Sequence, residues 1–575
     1  MSELVSISPA ELKVLALAEE NVPRILRQQI MDRDHPQYGG IIKNNTGLAS
    51  AENHGGGPAD LVTLATVYLH PSSVYYQDAR LIANMEAVAE FLRRVQRRDG
   101  LISMEFCNFD SPPDTAFVVV GLAELYTLLQ EKAEPSLVRV QESLRLFLQA
   151  AIPGLVRGGV HTPNHRWVMA AALMWLHEIF GVEAAKARAL QWLAEGIDCS
   201  DEGEWTELSN GVYNVICDIM FFQLANLLEE PELLEPVRRN LNYVSHLIHP
   251  NGLLVTDYST RQDRLGKHYV DTYYLIYALM AGHDQHGEWA SLADMAVQYM
   301  GHTEKVFSSC THELLYHLRY PQLMNLTELP RTEPPQSYER HIRSGESGFS
   351  VIRRREENAS LTLVGGQDTI GSFSYGEARL ISIRPTLGFF GKAVIKPLGW
   401  EVAGDSYQAV TKLVAPYFGP LTPEEMAALP ADINVLDMYN SCREEIDVCD
   451  VTTQLRITPV AYGFNLHWQT DAKWPVYAQL ALMFGSEGYF QDELGLRLLN
   501  STDYLFGGDL AIYRCGKWVI EIKLKSPQQP EHFLTVIRGD VPRQGTRNLL
   551  VNSLTPTEVC LEVRGYESGV RRIMT

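Results

Sequence analysis

The 575-residue sequence has no Cys-x-x-Cys pair. Its eight cysteines, at 107, 199, 217, 310, 442, 449, 515 and 560, are scattered, and none has a nearby histidine at the spacing of a zinc ligand set. This excludes a compact zinc module; reduced, mostly buried thiols are expected, with no metal and no cofactor. Basic residues are in deficit, with 49 Lys and Arg against 70 Asp and Glu, a formal charge of −21. A surface of that sign argues against nucleic acid as a partner, although screening over about 8 Å lets a local basic pocket hold an acidic ligand. No apolar run approaches the length that crosses a bilayer, so no membrane partner is expected; MAAALMWLHEIF (169–180) is of core-helix length. The opening MSELVSISPAELKVLALAEEN lacks a basic region, a sufficiently long apolar run and a small-residue cleavage site, so a cytoplasmic location is expected. The glycines match neither a Walker loop nor a dinucleotide fingerprint, and no Gly-x-Ser-x-Gly elbow is present.

What is present from residue 9 to 303 is a helical period, with apolar residues at three and four spacing and short turns rich in Gly, Pro, Asn and Asp. The pattern predicts helices over 9–30, 58–70, 78–97, 113–131, 134–150, 165–180, 183–195, 210–229, 231–247, 267–282 and 287–301. They come in pairs, and one member of each pair follows a polar cluster: ENHGGGP, NFDSPPD, HTPNHRW, EWTELSNGVYN and RLGKHYVD. Marked by His54, Asp114, His165, Tyr213 and His268, the clusters recur at intervals of 60, 51, 48 and 55 residues. That is one helical hairpin per repeat, an architecture that stacks as a solenoid or curls into a ring. The helices after the clusters are the more apolar, as inner helices of a ring must be, and proline at 58, 112–113 and 163 sits where a helix start tolerates it. Inner helices running the same way bring the five clusters to one mouth, with free amide hydrogens and positive dipole ends suited to an anionic group. Residues 304–345, with proline pairs and mixed charge, read as a connector. Beyond it, from 346 to 575, apolar and polar residues alternate in β-branched and aromatic-rich runs, which predicts an antiparallel β-sandwich. The fold class expected is therefore multidomain α + β, an (α/α) toroid over 1–303 followed by that sandwich.

This architecture resembles polysaccharide lyases of the heparinase II/III-like and alginate lyase type. At residue level the resemblance rests on two segments. Asn164-His165 looks like the Asn and His that those lyases place at the start of an inner helix to hold a uronate carboxylate. DEGEWTELSNGVYNVICD (201–218) looks like their acidic, glycine-containing loop that ends in a catalytic Tyr, here Tyr213, followed by His or Asn, here Asn214. PNGLLVTDY (250–258) is similar to the segment that follows there. The chain departs from the family in GGQDTIGSFSYGEARLISI, which has no histidine where members carry a His-rich segment on an early strand of the sandwich.

The resemblance implies β-elimination on an acidic oligosaccharide or polysaccharide, with short imported uronate-containing oligosaccharides expected for a cytoplasmic enzyme. Elimination requires neutralising the carboxylate, removing the C5 proton and protonating the departing oxygen. Asn164, His165 and Arg166 offer donors for the first task; Tyr213 or His165 is the base. Trp167 and Trp205 are candidates for stacking on sugar rings, the alternative being core packing. Asn53 and His54, before three glycines, suit close approach to a ligand or merely a turn. Tyr258, Arg261 and His268, with Asp271, are candidates for the far side of the cleft or for packing. Asn164 alone reads equally as a helix cap, His165 as a structural histidine and Tyr213 as a core tyrosine. Two other functions stay open: a glycoside hydrolase on the same ring, using carboxylates among Asp114, Glu204, Glu207, Asp218 and Asp271, and a non-catalytic carbohydrate-binding protein.

Overall fold

The structure, a computed structural model, describes residues 7–42, 46–52, 57–97, 99–104, 107–302, 312–344, 349–392, 394–429, 438–491, 496–526, 537 and 545–569. Two compact units divide between Pro335 and Gln336.

In the first unit the helices are α1 (Pro9–Gln28), α2 (Gly57–Leu69), α3 (Ile82–Val95), α4 (Pro112–Lys132), α5 (Val138–Arg157), α6 (Pro163–Phe180) and α7 (Glu183–Ala194). There follow α8 (Tyr213–Leu228), α9 (Glu235–Ser245), α10 (Tyr274–Asp284), α11 (Gly287–Tyr299), α12 (Glu313–Arg319) and α13 (Pro321–Met324). Local chemistry sets several of the starts. The Ser8 and Ser111 hydroxyls accept from the amides of Glu11 (3.1 Å) and Asp114 (3.3 Å), and Pro9 and Pro112 fill the first helical position.

The even-numbered helices α2 to α10 are the inner ones: α8 is buried continuously from Asn214 to Ala225, and α6 from Trp167 to Leu176. Their partners bury a single stripe, as α5 does with Val140, Leu144, Phe147, Leu148, Ala151 and Leu155. Each inner helix packs on the next, and α3, α5, α7, α9 and α11 pack outside them. Helices α6 and α8 run the same way, since their contacts advance along both together, from Trp167 against Phe221 to Trp175 against Gln223. The Trp175 indole N–H donates to Gln223 Oε1 at 2.8 Å. With a rise of about 1.5 Å per residue, these side chains lie about 18 Å and 15 Å past the starts of α6 and α8, at matching depth.

The segment expected as a connector over 304–345 is reassigned where it is described. Helix α12 packs against α1, α2 and α4, and α13 against α10, which closes the ring. Leu314, Leu315 and Tyr316 are buried; the Tyr316 hydroxyl accepts from Gln223 Nε2 at 2.6 Å, and Tyr274 Oη lies 2.9 Å from His317 Nε2. Seven residues are too few for a helical period to register in the sequence, and the strand Ser337–Ser344 already belongs to the second unit. Because Leu315 is fully enclosed at the closing seam, Leu315→Ala is expected to destabilise the protein by about 2–5 kcal/mol, read as a lowered urea midpoint. The helix expected to end at residue 150 continues to Arg157 through Pro153, because Ala151, Gly154 and Leu155 are held in the core.

The second unit is a sandwich. Among the described residues one sheet has nine strands, ordered 496–498, 503–506, 546–554, 477–485, 378–387, 371–375, 359–364, 349–356 and 337–344. The other has eight, ordered 489–491, 510–515, 518–524, 557–567, 463–472, 445–460, 406–418 and 401–403. Among the described residues all pairings are antiparallel except that of 503–506 with 546–554. Alternate side chains of both sheets, among them Leu363, Phe373, Leu455, Trp468 and Val563, form one core between them. Among the described residues no helix is long and apolar enough to cross a membrane.

Candidate active site

Because α6 and α8 are enclosed beyond their first turns, polar chemistry on them is confined to the residues that open them. Asn164 is fully buried. Its backbone N–H donates to Glu207 Oε2 at 3.1 Å, and its side-chain Nδ2 makes a short hydrogen bond to the same oxygen and a second, of 3.3 Å, to Thr162 Oγ1. Both amide hydrogens are thereby committed. The side chain keeps only Oδ1, which is buried without a protein partner. Asn164, expected as a donor, therefore has its donors taken within the protein, and its one uncommitted polar atom is a buried acceptor. His165 is half-buried beside it, with the His161 ring edge-on at 4.7 Å and Phe117 of α4 at 6.1 Å.

Glu207 links this end to Tyr213. Its Oε1 lies 3.5 Å from Arg261 Nε, and the Arg261 guanidinium sits 5.0 Å from the centroid of the Tyr213 ring. The half-buried Tyr213 hydroxyl accepts a 2.6 Å bond from Gln262 Nε2. Burial pushes the Glu207 carboxyl up, opposed by the hydrogen bonds from Asn164 and the charge of Arg261.

Asp263 holds the two turns together. It accepts from the Ser209 hydroxyl (3.0 Å), the Ser259 hydroxyl (2.5 Å) and the Gly211 amide (2.8 Å). Position 211 needs glycine because a β-carbon there would lie 2.8 Å from the His268 ring and 2.9 Å from Asp263 Oδ2. His268 is half-buried behind this turn, its imidazole held below the ordinary value by burial, against the opposing charges of Asp263 and Asp271.

Several expected ligand contacts are corrected. Trp167 and Trp205 are too buried to stack on a sugar; their indole N–H groups donate to Asp198 (2.8 Å) and Asp218 (3.0 Å), and both rings pack on Phe221. Trp167 lies one turn beyond Asn164, on the same inward face of α6. Arg166 points the other way, paired with Asp198 at 3.0 Å and Glu195 at 3.3 Å over the Trp167 ring, so its charge is already matched. Asn214 is buried and donates to Glu204 Oε1 at 2.8 Å. Tyr258 is buried with its phenol turned to Glu204. Asn53 and His54 lie outside the described residues. Gln262 and Asp263 had no sequence signal, and Glu207 was legible only as one carboxylate among several.

Burial pushes the Glu204 carboxyl up to about 7 from 4.5, with Tyr243, Asn214 and Tyr258 opposing the rise. A folded-state pKa above the unfolded one contributes stability that is full below about 4.5 and is lost as pH rises through about 7. Glu204→Gln is therefore expected to remove a fall in stability of about 3 kcal/mol between pH 4.5 and 7, measured by urea unfolding across that range.

No protein-family model matches the sequence, and no curated protein matches it. Solved structures do. Heparinase III superposes with a TM-score of 0.54 at 12% identity, covering 98% of this chain and 86% of that one. The chain has the polysaccharide lyase fold. A Paenibacillus xanthan lyase gives 0.54 at 10% identity over 98% of this chain and 58% of that one. The Streptomyces coelicolor A3 chondroitin AC lyase, solved in complex with chondroitin sulphate, gives 0.53 at 12% identity over 98% and 80%. At such identities the likeness is one of polysaccharide lyase fold, a helical ring followed by a sandwich.

Proposed function

We propose that this chain is a glycan lyase that cleaves uronate-containing oligosaccharides by β-elimination, with short imported oligosaccharides as its substrates and the cytoplasm as its location. The observation that carries the reading is the relay Asn164–Glu207–Arg261–Tyr213, which joins the starts of two inner helices in one polar cluster. In this reading the uronate carboxyl group lies against Asn164 and His165. Asn164 Oδ1 accepts from the carboxyl group in its protonated form, which removes the charge that would oppose loss of the C5 proton, while His165 stands beside it as a second polar contact. Tyr213, its ring under the Arg261 cation and its oxygen bonded to Gln262, carries the proton transfers at C5 and at the departing glycosidic oxygen. Asn53 and His54, as further substrate-binding residues, belong to the same proposal.

Four of the five carboxylates that a hydrolase could pair are engaged in hydrogen bonds within the protein. Glu204 and Asp218 are enclosed and bonded to Asn214 and Trp205; Glu207 is bonded to Asn164; Asp114 accepts from Ser111 and Asn108. The reading is tested by incubating the full chain with a panel of uronate-containing oligosaccharides. Elimination creates a conjugated double bond, so ultraviolet absorbance should rise as product forms. New reducing ends without that absorbance would establish hydrolysis, and retained binding without turnover across the panel would establish a binding protein.

A further inference from the structure

The sandwich carries a cluster that the spacing of cysteines and histidines along the chain gives no hint of. The strand 463–472 pairs with 557–567 in a register that sets His467 directly opposite Cys560. Direct antiparallel partners project on the same face, and Glu558, two residues from Cys560, shares it. The intervening Leu466, Trp468, Val559 and Leu561 are buried in the core, so the face of the trio is the outer one. His467 Nε2 lies 2.5 Å from Glu558 Oε1, with the two side chains 36% and 62% exposed. One ligand atom from each of His467, Glu558 and Cys560 can be chosen so that all three lie within 4.8 Å of one another.

We propose that His467, Glu558 and Cys560 form a surface binding site for a late first-row divalent cation of the zinc type. One imidazole nitrogen, one carboxylate oxygen and one thiolate sulfur make a ligand set of borderline softness, which suits zinc and its neighbours better than calcium or magnesium. Bonds of about 2.0–2.3 Å from a common centre require ligand atoms somewhat closer together than 4.8 Å, a gap of the size that side-chain rotation spans on strands whose backbones are held by further paired strands. The next carboxylate on this face, Glu562, is paired with Lys525 at 3.8 Å, which leaves the fourth position to water or an incoming ligand. Binding replaces the His467–Glu558 hydrogen bond and displaces the thiol proton of Cys560 to solvent, so a neutral imidazole, a carboxylate and a thiolate balance the dication. The cation would clip together His467 and Cys560, 93 residues apart in sequence.

Metal-stripped full-length protein titrated with cobalt(II) tests the assignment. One equivalent should bind with a near-ultraviolet thiolate-to-cobalt band, and zinc should displace it. His467→Ala and Cys560→Ser should each weaken binding at least tenfold, and Cys560→Ser should abolish the band. Neither variant should change the melting temperature of the metal-free protein, since both side chains lie on the outer face. Absence of the band in the full chain, or its persistence in Cys560→Ser, overturns the proposal. So does binding that survives the His467 substitution undiminished.

Discussion

Tyr213→Phe is expected to lower the rate of unsaturated-product formation by about 10²- to 10⁴-fold, the range that a positioned proton-transfer group supplies. The substitution removes one oxygen, whose partner within the protein is Gln262, an exposed residue free to turn to water. The Tyr213 ring stays in place under Arg261, so thermal unfolding should be within about 1 kcal/mol of the parent protein. The two readouts separate a chemical role from a structural one. Unchanged turnover with an intact fold removes Tyr213 from the mechanism.

Glu207→Ala is expected to have the second largest effect, on stability and turnover together. One buried carboxylate accepts the backbone and side-chain N–H groups of Asn164 and faces Arg261. Truncation strands two buried donors and releases Asn164 to rotate, at about 1–3 kcal/mol for each group left unsatisfied. It also frees the guanidinium to leave the Tyr213 ring. The expected result is a lowered urea midpoint with a fall in kcat of at least about tenfold, because the proposed acceptor is no longer aimed. Glu207→Gln separates the contributions. It keeps the volume and one carbonyl acceptor for Asn164 but removes the charge facing Arg261, so it should recover most of the stability and less of the kcat. Recovery of both in the glutamine variant would show that charge at 207 has no part in the reaction.

The ring was legible because its physics is local. Apolar runs after Pro58, Pro112 and Pro163 read as inner helices, since a helix enclosed on all sides needs no polar face and proline is compatible with its first turn. The strands of the sandwich were legible by alternation. Closure of the ring was not, because α12 is a seven-residue helix whose partners lie on α1, α2 and α4, far away in sequence. The parallel pairing of 503–506 with 546–554 was hidden for the same reason.

Within the candidate site the division falls between residue type and atom. The sequence by itself determined that polar residues crowd the starts of inner helices, since neither helix formation nor core packing calls for HTPNHRW or EWTELSNGVYN. Only the tertiary structure decided which of them are engaged within the protein. Trp167 turns inward one helical turn after Asn164; Arg166 finds Glu195 and Asp198; Glu207, from a loop 43 residues away, takes both hydrogens of the Asn164 donor set that it reaches. A side chain's free hydrogen-bonding capacity is what remains after its neighbours are satisfied, and those neighbours are set by packing between segments distant in the chain.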